Sequence, residues 1–392
     1  MEFAFTEEQK MIQDTAESFL SEVSTSEAIR KVMATEEGYD ASLWQTVCTD
    51  LYWQAIHIPE QYGGMGLGYV EMVAMLEQMG RFLFCSPFYS TVCLATNAII
   101  IAGTDTQKEK YLPRICEGMT ATLGYTGIAA GDNGGTWGAE AVDVIVSKNG
   151  EDYELNGTLR YVPDGVTAEL LIIAARKQGS EGEEGICLFT VPADRVGISR
   201  SLLPTMDQTR KQAEIKFDKV QLPSSALMSE ENNGWKSLEK IIDLATIALA
   251  AEQMGGAQQI LDNTVEYTKE RVQFNRAIAS FQAIKHKAAD MMTRVEVSRS
   301  AVYYAACVAQ EAISSPDSTL AAELSEAASI CKSYCSDSYF KNAADGLQMH
   351  GGVGFTWEYD VHLFFKRAKA SEHLLGNGSY HRERLASILL DI

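Results

Sequence analysis

The chain lacks most of the features that would announce a specialised role. It has no apolar run of the ~20 residues that a membrane-crossing helix needs. Its longest such stretches, at 92–103 and 247–251, are short enough to be buried helices. Met1-Glu2-Phe3-Ala4-Phe5 has neither the basic start nor the apolar segment of a secretory signal, so none is expected. The eight cysteines form no C-x-x-C pair, and Cys331 with Cys335 is a single helix-spaced pair without a second. Structural zinc takes four ligands, so no metal is expected. Scattered thiols fit reduced cysteines and a cytoplasmic protein. Positive charge is also scarce: 33 Lys and Arg face 53 Asp and Glu, for a formal charge of −20. Such a surface repels phosphate backbones and anionic lipid, so neither nucleic acid nor membrane insertion is expected. An anionic ligand must then be held by a few local basic residues or by helix N-termini.

What is present is a globular balance, 46% hydrophobic and 22% charged over 392 residues, long enough for several packed domains. Periodicity divides the chain into three: 1–118 helical, 119–230 β, and 231–392 helical. Thr6-Glu7-Glu8-Gln9 reads as a capping box before an apolar stripe through Ile12, Ala16 and Leu20. Pro113 predicts that a helix starting near 108 bends or ends there. In the middle region, short alternating runs such as Val142-Asp143-Val144-Ile145-Val146 and Ala213-Glu214-Ile215-Lys216-Phe217 lie between Gly and Asp turns. They predict a compact antiparallel β domain. Helical periodicity returns at 235–272, 282–314, 319–347 and 358–389, the pattern of a four-helix bundle. The fold class is therefore α+β, in the unusual order α, β, α.

Two segments carry candidate binding chemistry. Arg271-Val272-Gln273-Phe274-Asn275-Arg276 reads as a turn between two helices, with Gln282 and Lys285-His286-Lys287 shortly after. Such a turn could hold a pyrophosphate, or it could be a solvated helix end whose arginines complement the dipole. Gln348-Met349-His350-Gly351-Gly352-Val353-Gly354-Phe355 ends the next helix. Its glycines would let a ligand approach the backbone, or one of them simply caps the helix.

In their joint order these motifs resemble the acyl-CoA dehydrogenase family over nearly the whole chain. The resemblance includes Pro59-Glu60-x-Tyr62-Gly63-Gly64-x-Gly66 and Asn156-Gly157 leading to Tyr161. It includes Tyr267-x3-Arg271-x-Gln273-Phe274-x3-Ile278-x3-Gln282. It closes with Gln348-x2-Gly351-Gly352-x-Gly354-Phe355 and Arg367-Ala368-Lys369. It implies an N-terminal helical domain, a central β domain, a C-terminal four-helix bundle, and FAD reached by the bundle of a second subunit. Arg271, Phe274, Gln282, Gln348, Gly351 and Gly352 would be the reach-across group. Tyr125, Thr126, Tyr161, Pro163 and Asn377 would complete the cofactor contacts. The implied partners are an acyl-CoA thioester, an electron-transferring flavoprotein, and like or unlike subunits, in a tetramer. The implied reaction takes a proton from Cα and a hydride from Cβ of the thioester.

The chain departs from the family where the base should be. Most members carry a Glu in a Tyr-Glu-Gly-Thr-like turn after Arg-x-Ala-Lys; aligned on Ala368-Lys369 and Gly376, that position is Leu375. A minority place it on the first bundle helix, and that position is Ala245, followed by Thr246 in place of an Arg associated with CoA. Glu252, two turns beyond Ala245, and Glu372 are the weaker candidates; Asp243 points to another face. On the flavin side, Tyr125-Thr126-Gly127-Ile128-Ala129-Ala130-Gly131-Asp132 keeps the Thr of the family's Thr-Glu-Pro motif and loses the Glu-Pro. Pro163 stands where a Thr is usual and has no N–H to offer. This asymmetry, with Thr205-Met206-Asp207-Gln208-Thr209-Arg210 and the 161–165 stretch, resembles the subunits of heterotetramers in bacterial steroid and side-chain degradation. Three readings follow: a dehydrogenase subunit whose own base is missing, a non-catalytic partner that completes another chain's FAD site, or a flavoprotein of the same fold with other chemistry.

Overall fold

The computed structural model describes residues 5–127, 136–228 and 234–390. Ile128, Ala129, Ala130, Gly131 and Asp132 lie outside the described residues. The helices that open the chain are α1 (Glu7–Val23), α2 (Ser26–Met33), α3 (Ala41–Thr46), α4 (Tyr69–Arg81), α5 (Asn97–Ala102) and α6 (Asp105–Cys116). The capping box of α1 forms as expected: Gln9 N donates to Thr6 Oγ1 and Thr6 N to Gln9 Oε1. A second box, Thr104 with Gln107, starts α6 three residues before the expected position. Pro113 opens the last turn of α6, where it has no N–H to give Glu109 O, and the helix ends three residues later at Cys116.

The strands are β1 (Ala121–Gly124), β2 (Ile145–Asn149), β3 (Asp152–Pro163), β4 (Leu170–Lys177), β5 (Ile186–Pro192), β6 (Ile198–Leu202) and β7 (Gln212–Leu222). They form one seven-stranded sheet in the order β1-β4-β2-β3-β7-β6, with β5 also on β4. The antiparallel expectation holds for β2–β3, β3–β7, β4–β5 and β6–β7. It needs correcting for β1–β4 and β2–β4, which are parallel. Alternation tells which face of a strand is buried but not which neighbour it meets or in which direction. One face of the sheet packs Leu155, Leu159, Ile173, Phe189, Ile215 and Val220 into its core.

Beyond the sheet run α7 (Gly234–Glu270), a short hairpin of β8 (Val272–Gln273) and β9 (Arg276–Ala277), α8 (Gln282–Ser314), α9 (Leu324–His350), α10 (Val361–His373) and α11 (Gly378–Leu390). The single helix expected over 358–389 is two: Leu375 (φ 60°) and Gly376 (φ 97°) turn the chain between α10 and α11. Leucine seldom adopts that backbone, so composition gives no sign of the break.

By contacts the chain divides into two compact units: Met1–Lys31, Tyr69–Phe84 and Thr246–Ile392 in one, Val32–Gly68 and Cys85–Ala245 in the other. In the first, α4 and α7 cross so closely that a Cβ on Gly80 would lie 2.0 Å from Glu252 O, and one on Gly255 1.8 Å from Glu77 O. Only glycine permits that approach. In the same unit Glu77, 2% exposed, accepts bonds from Arg299, from Tyr303 Oη (2.8 Å) and from Gln13 Nε2 (2.8 Å). The second unit holds the sheet. Among the described residues no helix is long and apolar enough to cross a membrane.

Candidate functional site

In the first unit a cavity of about 720 Å³ opens between the hairpin and the glycine-rich end of α9. Its wall includes four of the residues singled out in the sequence, Arg271, Phe274, Gly351 and Gly352, together with Tyr267 and His350. Gln282 and Gln348 are exposed, but only their neighbours Ala283 and Met349 line the cavity. The expected turn between helices is in fact a β-hairpin: Gln273 pairs with Arg276 and Val272 with Ala277. Its two central residues, Phe274 (φ 53°) and Asn275 (φ 61°), are both left-handed, the signature of a type I′ turn. Asn tolerates that conformation; phenylalanine does not. Phe274 nevertheless stands 86% exposed, its ring edge-on to Phe281 at 6.1 Å.

The opposite wall is a glycine cradle. A Cβ on Gly351 or Gly352 would meet nothing within 4 Å, so no protein contact explains the absence of side chains there. The cradle is backed by Tyr267, whose ring stacks on His350 at 4.2 Å and 17° and whose Oη donates to His350 O (3.2 Å). His350 Nδ1–H donates to Gly346 O at 2.8 Å, and burial lowers the imidazole's pKa. Tyr267 and His350 stand in the sequence motif but carry no chemical cue of their own there. A cavity with one arginine, an exposed aromatic ring and an open glycine wall suits an anionic dinucleotide.

In the second unit Tyr125 and Thr126 follow β1, Tyr161 and Pro163 end β3, and the two segments are bonded to each other. Thr126 Oγ1 donates to Arg160 O, Arg160 N to Thr126 O (both 2.8 Å), and Thr122 Oγ1 to Pro163 O (2.7 Å). The β3–β7 register shifts between Leu159 and Val162, and within that bulge Tyr161 is left-handed (φ 59°). Asp164, also left-handed (φ 50°), is buried with Ser90 Oγ 2.7 Å from its Oδ2. Bulges that re-aim a side chain recur beside functional sites.

The two expected base positions are both buried. Ala245 is 0% exposed, and its carbonyl accepts from Tyr89 Oη (3.0 Å). The hydroxyl of Thr246 is buried and finds no partner among the described residues. Leu375 is 3% exposed. Its carbonyl accepts from His381 Nε2 (2.9 Å). Of the weaker candidates, Glu372 is ion-paired with Lys369 at 2.9 Å, and Glu252 is 7% exposed on α7. Asn377 caps α11, its Oδ1 accepting from Tyr380 N (2.9 Å). No group of His, Cys, Asp and Glu that could hold a metal occurs among the described residues.

The fold is that of a particular kind of flavoprotein oxidoreductase. The description "Acyl-CoA dehydrogenase, N-terminal domain" matches residues 6–119, and "Acyl-CoA dehydrogenase, C-terminal domain" matches residues 232–390. The chain belongs to the acyl-CoA dehydrogenase family, whose members bind FAD. It is 32% identical to acyl-CoA dehydrogenase IpdE2 of Mycobacterium tuberculosis over 97% of both chains. Among solved structures it resembles butyryl-CoA dehydrogenase from Megasphaera elsdenii (TM-score 0.88, 28% identity, all of both chains). It also resembles a variant of the Tcur3481-Tcur3483 steroid ACAD (TM-score 0.85, 27% identity, 98% of both chains).

Proposed function

We propose that this chain is a subunit of an FAD-dependent acyl-CoA dehydrogenase and that it brings no base of its own to the acyl Cα. The observation that carries the proposal is a contrast within one chain. The cavity of Arg271, Phe274, Gly351 and Gly352 is open, and at both glycines nothing lies within 4 Å of where a Cβ would stand. Both positions where the family's base would stand hold buried hydrocarbon, Leu375 and Ala245.

FAD, when bound, supplies the acceptor for a hydride from the acyl Cβ. Arg271 would neutralise pyrophosphate charge, Phe274 would offer a ring face, and Gly351 and Gly352 would let backbone close in. Gln282, Gln348 and Asn377 would add amide contacts, and Tyr125, Thr126, Tyr161 and Pro163 would flank the flavin ring. A base must come within ~3 Å of the proton it removes, and neither leucine nor alanine accepts one. Loss of such a group lowers turnover by about 10²–10⁴-fold. An unlike subunit carrying a Glu at either position would restore it, in a mixed tetramer reoxidised by an electron-transferring flavoprotein. The steroid ACAD among the structural relatives makes a ring-bearing thioester the first substrate to try.

The test is flavin content and bleaching. The chain is purified alone and co-expressed with a homologous, Glu-bearing chain encoded beside it. The expected result is a yellow, acyl-CoA-bleachable complex only from co-expression. A homomer of this chain that is yellow and bleached by acyl-CoA overturns the proposal.

A further inference from the structure

Beside Leu375 lies a buried cation that the proposed chemistry does not use. Lys332, on α9, is fully buried. Its Nζ lies 2.8 Å from Ser336 Oγ, 3.1 Å from Ser371 O, 3.0 Å from Glu372 O and 2.8 Å from Gly376 O. Ser371 and Glu372 belong to the last turn of α10, where carbonyls have no partner within the helix and positive charge is favoured. Gln253 Nε2, from α7, adds a donor to Ser371 O at 3.0 Å. On the far side His381, from α11, donates Nε2–H to Leu375 O at 2.9 Å. Four carbonyls around one turn, at 371, 372, 375 and 376, are thus held by side chains from three helices.

We infer that Lys332 is the positioning residue of the 374–377 turn, gathering the carbonyls of Ser371, Glu372 and Gly376 so that residue 375 is fixed in a left-handed conformation. The need is plain from the backbone: Leu375 sits at φ 60°, which leucine resists unless its surroundings over-determine it. The charged and titratable groups around Lys332 are Glu372 and His373 on α10, His381 and Arg384 on α11, and Cys331, Cys335 and Asp337 on α9. Burial pushes the Lys332 pKa down to about 7, with Glu372 opposing. Either protonation state still donates to the turn, the ammonium through three hydrogens and the amine through two. The inference rests on the proposed function only for what residue 375 faces; the turn's dependence on Lys332 is independent of it.

The test is hydrogen exchange by mass spectrometry on the full chain, comparing wild type, Lys332→Met and Lys332→Gln. In Lys332→Met the segment 371–378 should exchange about tenfold faster or more, since a charged donor is lost to buried carbonyls. The segment 291–309 of α8 should be unchanged, and Lys332→Gln, which keeps a donating amide, should fall between. Unchanged exchange at 371–378, or an equal rise throughout the bundle, overturns the inference. If Lys332→Met does not accumulate folded, Lys332→Gln carries the same two outcomes. A parallel Leu375→Glu chain, assayed in the mixed assembly, separates the two ideas. If exchange responds as expected but Leu375→Glu adds no turnover to that of the assembly, the role of Lys332 stands and the placing of a base at 375 falls.

Discussion

Gly351 and Gly352 are adjacent, yet alanine should act at them through different physics. At Gly352 the backbone is not left-handed and an added Cβ meets nothing within 4 Å. The fold therefore has no reason to object, and stability should stay within about 0.5 kcal/mol of wild type. At Gly351 the space is equally open, but φ 64° and ψ −144° lie where only glycine is at ease. Alanine there should destabilise by about 1–3 kcal/mol from backbone strain alone. Both face the cavity proposed for FAD. If backbone closes on the dinucleotide there, a methyl group at 352 pushes the ligand back. An overpacked contact of that size costs about 1–3 kcal/mol, so affinity should fall about 5- to 150-fold. The assay is a flavin titration in the assembled complex, read by fluorescence quenching, beside a thermal melt. The expected pattern for Gly352→Ala is a wild-type melt with weakened FAD; for Gly351→Ala both fall. A Gly352→Ala complex that holds FAD as tightly as wild type refutes the assignment of the cradle.

Three further outcomes are expected. Leu375→Glu, co-expressed with a partner whose own Glu is replaced by Gln, should gain acyl-CoA-dependent turnover, up to the roughly 10²–10⁴-fold worth of a base; absence of any gain in steady-state kinetics removes position 375 from the chemistry. Burial pushes His57 down from 6.5 to about 4, against a bond to Asn97, and burial with nearby Lys332 pushes His381 down to about 3. An unfolded chain then binds more protons than the folded one between those values and 6.5, so this stability is complete above pH 6.5 and is lost as pH falls towards about 4 for His57 and about 3 for His381. For His57 it amounts to about 3 kcal/mol, and His57→Gln should remove that share of the pH dependence of denaturant-derived stability, leaving the share of His381. Glu77→Ala, which strips the buried partner from Arg299 and Tyr303, should destabilise by about 3 kcal/mol in the same measurement; a change under about 1 kcal/mol would mean the cluster is solvated.

How much of this is legible in the sequence depends on whether the signal is local. The capping box at Thr6, much of the strand alternation and three of the four long bundle helices are written in side-chain order and appear in the structure. Where two segments meet is not written there. The parallel pairing of β1 with β4 joins residues about fifty positions apart, such as Ala121 and Leu170, and periodicity cannot name that partner. The motif around Arg271 is visible, but its shape is not. Type I′ turns are read from Asn-Gly or Asp-Gly, and Phe274-Asn275 carries neither pair. The break at Leu375 is hidden for the same reason. The residues that turn the chain there are ones whose intrinsic preference opposes the turn, and only the surrounding contacts stabilise it.

That opposition points back to function. Of eight non-glycine residues with reversed φ among the described residues, five, Tyr161, Asp164, Phe274, Asn275 and Leu375, fall at or beside positions singled out on other grounds. Each is over-determined by its surroundings: a bulge for Tyr161, the Ser90 contact for Asp164, a closed hairpin for Phe274 and Asn275, and the Lys332 and His381 bonds for the Leu375 turn. A chain that needed only to fold could relax such strain with glycine or asparagine at each turn. Leu375 is the telling case. Glycine there would relieve a backbone strain of about 1–2 kcal/mol but would lose a buried side chain worth about 2–5 kcal/mol, so packing wins over conformation. The leucine is kept in place by what it fills. The turn around it therefore places a side chain at a fixed point in the interior, whether that side chain takes a proton or only excludes water.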